Sequence, residues 1–68
     1  MDLYYNGQAI FDDTHFNDHL ESEIPIQIYS KDEHEDIGFI DNFNNNFITV
    51  NNNNYNRECF TFISRPGY

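Results

Sequence analysis

Apolar residues change their spacing at Ile24, and the change divides the chain into a helical start and a strand-rich remainder. Phe16, Leu20 and Ile24 recur every four residues, the period of one helix face, behind Asp12, Asp13 and Thr14, any of which suits an N-cap. The pattern predicts a short helix over residues 14–21, ended by Pro25 at the latest. From Ile24 the period is two. Ile24, Ile26 and Ile28 alternate with Pro25, Gln27 and Tyr29, which predicts a half-buried strand with Pro25 at its first positions or on an edge. Residues 31–35 read as a charged turn, and residues 36–43 as a second strand in which Gly38 marks a bulge or sharp bend. Asn44-Asn45-Asn46 turns the chain into a third strand at Phe47-Ile48-Thr49-Val50. Asn51 to Asn54 turn it again before Tyr55, and a last strand covers residues 59–64. Asn tolerates left-handed backbone, so these runs read as turns rather than as low-complexity sequence.

Ahead of the helix, Leu3-Tyr4-Tyr5 and Gln8-Ala9-Ile10 flank Asn6-Gly7, a pair suited to a type I′ turn, which predicts a hairpin. Ile37-Gly38-Phe39-Ile40 and Phe60-Thr61-Phe62-Ile63 carry apolar side chains on both faces, whereas a sheet with one solvated face alternates cleanly. Burial on both faces implies a strongly curved barrel capped by the helix or hairpin, or an oligomer interface. A chain of 68 residues closes one small core. The expectation is therefore a single mainly β (α+β) domain over residues 1–68. Its form is a small, strongly bent, five-stranded antiparallel barrel with an N-terminal hairpin and one short helix.

Charge sharpens this picture. Residues 1–41 hold eleven acids and one base, Lys31, for −10; residues 42–68 hold Glu58 against Arg57 and Arg65, for +1, giving the net −9. Such a field repels phosphate backbones and attracts basic protein surfaces. Acidity also keeps a small domain soluble, which is the plainer reading of the same count. One Cys forms no internal disulfide, no apolar run reaches the ~20 residues of a membrane span, and no basic-then-apolar leader opens the chain, so a cytoplasmic location is expected.

Few residues suggest chemistry. His15 and His19 share a helix face and, with Asp12 or Asp18, have the composition of a metal site; the Glu of the His-Glu-x-x-His motif is missing, so a surface pair is the preferred reading. Cys59 follows Arg57, which favours a thiolate, but its neighbour Phe60 favours a small buried residue. His34 lies in the charged turn without a visible partner, and Glu33, Glu35 and Asp36 share one wet environment where paired catalytic carboxylates need contrasting ones. Gly7, Gly38 and Gly67 are scattered and make no phosphate cradle. No enzyme, cofactor or metal is expected.

The succession of a helix and short strands resembles the Sm-like fold, in particular bacterial Hfq-type proteins. Phe16-Asn17 through Leu20 and Ile24-Pro25-Ile26-Gln27-Ile28-Tyr29 look like that family's helix and first strand. Gly38-Phe39-Ile40 with Phe43 looks like its bent second strand, and Phe47-Ile48-Thr49-Val50 like its third. Tyr55-Asn56-Arg57 and Ile63-Ser64-Arg65-Pro66 fall at its Tyr-Lys-His turn and final strand. The resemblance covers residues 16–66 and implies an RNA-binding ring using Tyr55, Asn56, Arg57 and Arg65. It departs where function lies: Asn56 replaces the Lys, Arg57 replaces the His, and Asp18, Glu21 and Glu23 line the helix and its exit.

The expected function is thus a non-enzymatic protein-binding module, an inhibitor or regulator occupying a basic, nucleic-acid-binding surface of a partner. Its contacts would be Asp12, Asp13, Asp18, Glu21 and Glu23, with Tyr4 and Tyr5 as anchors. The alternatives are the RNA-binding ring and a structural subunit of a homo-oligomer; nucleic acid and membrane are not the expected partners.

Overall fold

The computed structural model describes residues 4–68. Its elements run β1 Ala9–Ile10, α1 Asp13–Glu21, β2 Ile26–Ser30, β3 Glu33–Gly38, β4 Ile40–Phe43, β5 Phe47–Val50, β6 Asn53–Asn56 and β7 Thr61–Ser64. They form a mainly β architecture of two antiparallel sheets, ordered β1-β7-β2-β3 and β4-β5-β6, with one short helix. The expected strongly bent five-stranded barrel is therefore corrected to seven strands in two sheets among the described residues.

The physical reasons are local. The long second strand is broken at Phe39, so its halves, β3 and β4, belong to different sheets. Gly38 sits at that break for want of space: a Cβ there would lie 3.1 Å from Val50 Cγ1 and 3.0 Å from Asn51 Nδ2. The Asn51–Asn54 segment was expected to be all turn, yet only two residues turn. Asn51 (φ 52°) and Asn52 (φ 66°) have the type I′ pattern, which frees Asn53 and Asn54 to begin β6. Lys31 (φ 49°) and Asp32 (φ 69°) repeat it, so the charged turn shrinks to two residues and β3 starts at Glu33.

The N-terminal hairpin is a second correction. Gly7 has φ 95° while Asn6 is not at positive φ, and Gln8 N–H donates to the Tyr5 carbonyl at 3.2 Å. That is the type II pattern, whose backbone twist splays flanking strands instead of joining them. Tyr4 and Tyr5 form no strand, Leu3 lies outside the described residues, and β1 pairs instead with β7 (Ala9 to Ile63, Ile10 to Phe62).

The helix forms as its spacing predicts, one residue earlier. Asp12 caps it: the carboxylate accepts the His15 N–H at 2.9 Å, and His15 Nδ1 reaches back to the Asp12 N–H at 3.5 Å. Phe16 is its principal core residue, packed edge-on to Phe62 at 5.5 Å. Ile26 and Ile28 from β2, Ile48 and Val50 from β5, Ile40, Ile10 and Phe62 complete the interior. Burying each of these side chains stabilises the fold by roughly 1.5–3 kcal/mol relative to exposure. Apolar burial on both faces is only partly realised, because Phe39 remains 54% exposed.

Candidate functional site

The predicted docking carboxylates lie along α1 and its exit, and the structure sorts them into two groups. Asp12 is occupied as the helix cap. Asp13 accepts from Arg57 at 2.6 Å, and Asp18 accepts the Tyr4 hydroxyl at 2.7 Å. Tyr4 is only 7% exposed, packed against His19 with ring centroids 4.4 Å apart, so it lies inside the protein rather than on its surface. Burial, then the bond to Asp18, pushes its phenol up to about 12. Tyr5 is exposed. Glu21 and Glu23 are exposed and make no ion pair among the described residues.

Glu23 stands where the helix ends. The Ile24 N–H donates to the His19 carbonyl at 3.1 Å and the Ser22 N–H to Asp18 at 2.9 Å, which stops the helix with Glu23 at φ 53°. This places Glu23 on a cleft of about 490 Å³ between the end of α1 and the start of β4. Leu20, Phe39 and Ile40 supply its apolar wall, and Glu23 and Asp41 are its ionisable residues among those described. Phe39 was legible as part of a two-sided apolar run, but its exposure follows from the break between the sheets. Asp41 had no signal beyond its charge.

A larger cleft, of about 710 Å³, lies at the other end of the helix beside Phe11, Asp12, Asp13, Arg57 and Glu58. Its charges are of both signs: Arg57 serves Asp13 and also donates to the Asn44 carbonyl at 2.8 Å, while Glu58 makes no ion pair among the described residues. An anion there meets carboxylates and a cation meets Arg57. The smaller cleft has the simpler electrostatics.

The residues implied for RNA binding are turned to internal tasks. The Tyr55 hydroxyl donates to Asp36 at 2.7 Å, which is the main cause holding the Asp36 carboxyl below its ordinary range; burial and the same bond raise the Tyr55 phenol. The Asn56 side chain accepts the Glu58 N–H at 2.8 Å. Arg57 lies over the Phe16 ring at 4.7 Å, and Arg65 Nε donates to Gln27. Among the described residues, Lys31 is the one Lys or Arg side chain with no hydrogen-bond or ion-pair partner.

The histidine pair expected on the surface divides. His15 is half-buried in the cap, while His19 is fully buried. The His15 carbonyl, 2.7 Å from His19 Nδ1, can only accept, so Nδ1 carries the proton and Nε2 accepts from the Ser64 hydroxyl at 2.7 Å. Burial is the chief cause lowering the His19 imidazole below its ordinary value. Ser64 and His19 have the contact of a nucleophile and base, but both are 0% exposed, so substrate does not reach them; they tie α1 to β7. Cys59, expected to be buried, is exposed because residues 57–59 turn between β6 and β7. Among the described residues no group of three or more His, Cys, Asp or Glu is arranged to hold a metal. No helix among them is long and apolar enough to cross a membrane. No family model, curated protein or solved structure matches the chain.

Proposed function

We propose that the chain is a non-enzymatic binding module that docks on a basic surface of a partner protein. The observation that supports it is the unequal use of charge. Arg57 and Arg65 are spent on Asp13 and Gln27, whereas Glu21, Glu23 and Asp41 are exposed and form no ion pair among the described residues. With a net charge of −9, the outward field is negative, which speeds encounter with a basic surface and disfavours phosphate. A concrete form is an inhibitor or regulator filling the nucleic-acid groove of its target, with carboxylates standing where phosphates would. Of the expected docking residues the set keeps Glu21 and Glu23, with Tyr5 as a peripheral anchor, and it gains Asp41, which the sequence reading did not include. Affinity capture from the source cell, followed by calorimetry of the purified pair at low and high ionic strength, tests it. Binding that weakens steeply with salt is expected; binding indifferent to salt ends the reading.

The second reading is an Sm-like ring on RNA. Its support is the order of elements: α1, β2, the pair β3–β4 hinged at Phe39, then β5, β6 and β7, as the resemblance implies. Tyr55, Asn56, Arg57 and Arg65 would make the contacts, and each must first leave a bond within its own chain. A low-salt gel shift with no retained RNA, or a sedimentation mass equal to one chain at high concentration, removes it.

A further inference from the structure

We propose that the cleft between the end of α1 and the start of β4 receives an arginine side chain presented by the partner. This rests on the basic-partner reading above and assigns it a place and a chemistry. The wall is apolar, formed by Leu20, Ile40 and a Phe39 ring 54% exposed. Among the described residues, the ionisable ones on the cleft are Glu23 and Asp41, and no base lines it.

That combination selects its occupant. An apolar side chain would cover both carboxylates and leave them unpaired, and an acidic one would be repelled. A basic side chain lays its methylene stem on the apolar wall and carries its charge to the rim. Between the two bases, arginine fits better. Its planar guanidinium stacks on an aromatic face, pairs with carboxylates through two parallel bonds and is more weakly hydrated than an ammonium. The exposed Phe39 beside two acids offers both contacts.

The helix terminus supplies a variant that separates binding from folding. Glu23 occupies the left-handed position after the helix, where glycine is the usual residue. Glu23→Gly therefore removes the carboxylate while relieving the backbone.

The test is amide NMR of the full chain titrated with an extended peptide of alternating Gly and Arg, beside a Gly-Lys peptide of equal charge. Shifts concentrated at Leu20, Glu23, Phe39, Ile40 and Asp41 are expected, with tighter binding of the arginine peptide. Glu23→Gly and Asp41→Asn should each weaken it by about fivefold, the scale of one partly exposed ion pair. Glu23→Gly should melt no lower than the parent. Shifts spread equally over Asp32, Glu33 and Glu35, equal affinity for the lysine peptide, or full affinity in Glu23→Gly would each overturn the cleft assignment. The basic-partner reading fails separately, if the captured partner keeps its affinity in high salt.

Discussion

Arg57 and Asp13, 44 residues apart in sequence, meet at 2.6 Å and fasten the turn after β6 to the first turn of the helix. One contact thus withdraws a base from any RNA-binding surface and an acid from any docking surface. Both residues were read from the sequence as outward-facing, and each is instead the other's partner.

This contact predicts an order of stabilities. Asp13 is largely exposed, so the ion pair itself contributes at most about 1 kcal/mol. Arg57 also covers the Phe16 ring and donates to the Asn44 carbonyl. Arg57→Ala should therefore cost about 1–2 kcal/mol and Asp13→Asn less than about 1 kcal/mol in urea unfolding. The reverse order would show that the pair, not the packing, holds this corner.

His19 predicts the acid limb of the stability curve. Its folded imidazole titrates below its ordinary value of 6.5, so the unfolded chain binds the proton first as pH falls. The stability that the neutral ring contributes is complete above 6.5 and is lost as pH drops toward the folded value. Protonation also puts a hydrogen on Nε2, where the Ser64 hydroxyl now donates. Asp36 acts with the same sign but only below its ordinary 3.8, so the two contributions begin at different pH. His19→Asn should be less stable at neutral pH and should flatten the dependence of Tm as pH falls below 6.5. An unchanged slope in that window would place the titration elsewhere.

Gly38 predicts a packing limit at the break between β3 and β4. A Cβ there would crowd Val50, which is fully buried, and Asn51, whose amide donates at 3.0 Å to Asp36 and to the Ile37 carbonyl. Asn51 is exposed and yields; Val50 does not. Gly38→Ala should cost about 1–3 kcal/mol by thermal unfolding. A loss near zero would mean that the two strands part freely at this point.

Turn chemistry predicts a gain. Lys31 and Asp32 occupy both left-handed positions of a type I′ turn, for which Asn-Gly is the preferred pair. Asp32→Gly removes a Cβ from strained backbone and should stabilise the fold by about 1 kcal/mol. A lower Tm would assign Asp32 a contact that outweighs the strain.

Local spacing carried the helix, a cap drawn from Asp12, Asp13 and Thr14, the alternating Ile26 and Ile28, the turn at Asn44–Asn46 and the negative charge, because each depends on neighbours a few residues away. The count of strands and the fate of the ionisable groups depend on contacts across the fold. Tyr4 with Asp18, His19 with Ser64, Tyr55 with Asp36 and Arg57 with Asp13 join segments 14 to 45 residues apart. No periodicity records such a meeting, since a polar side chain looks the same in sequence whether it faces water or a partner. The sequence by itself determined that the molecule carries an excess of acid on a mostly β frame. Only the tertiary structure decided which carboxylates remain outward, since that depends on where each arginine and tyrosine comes to rest.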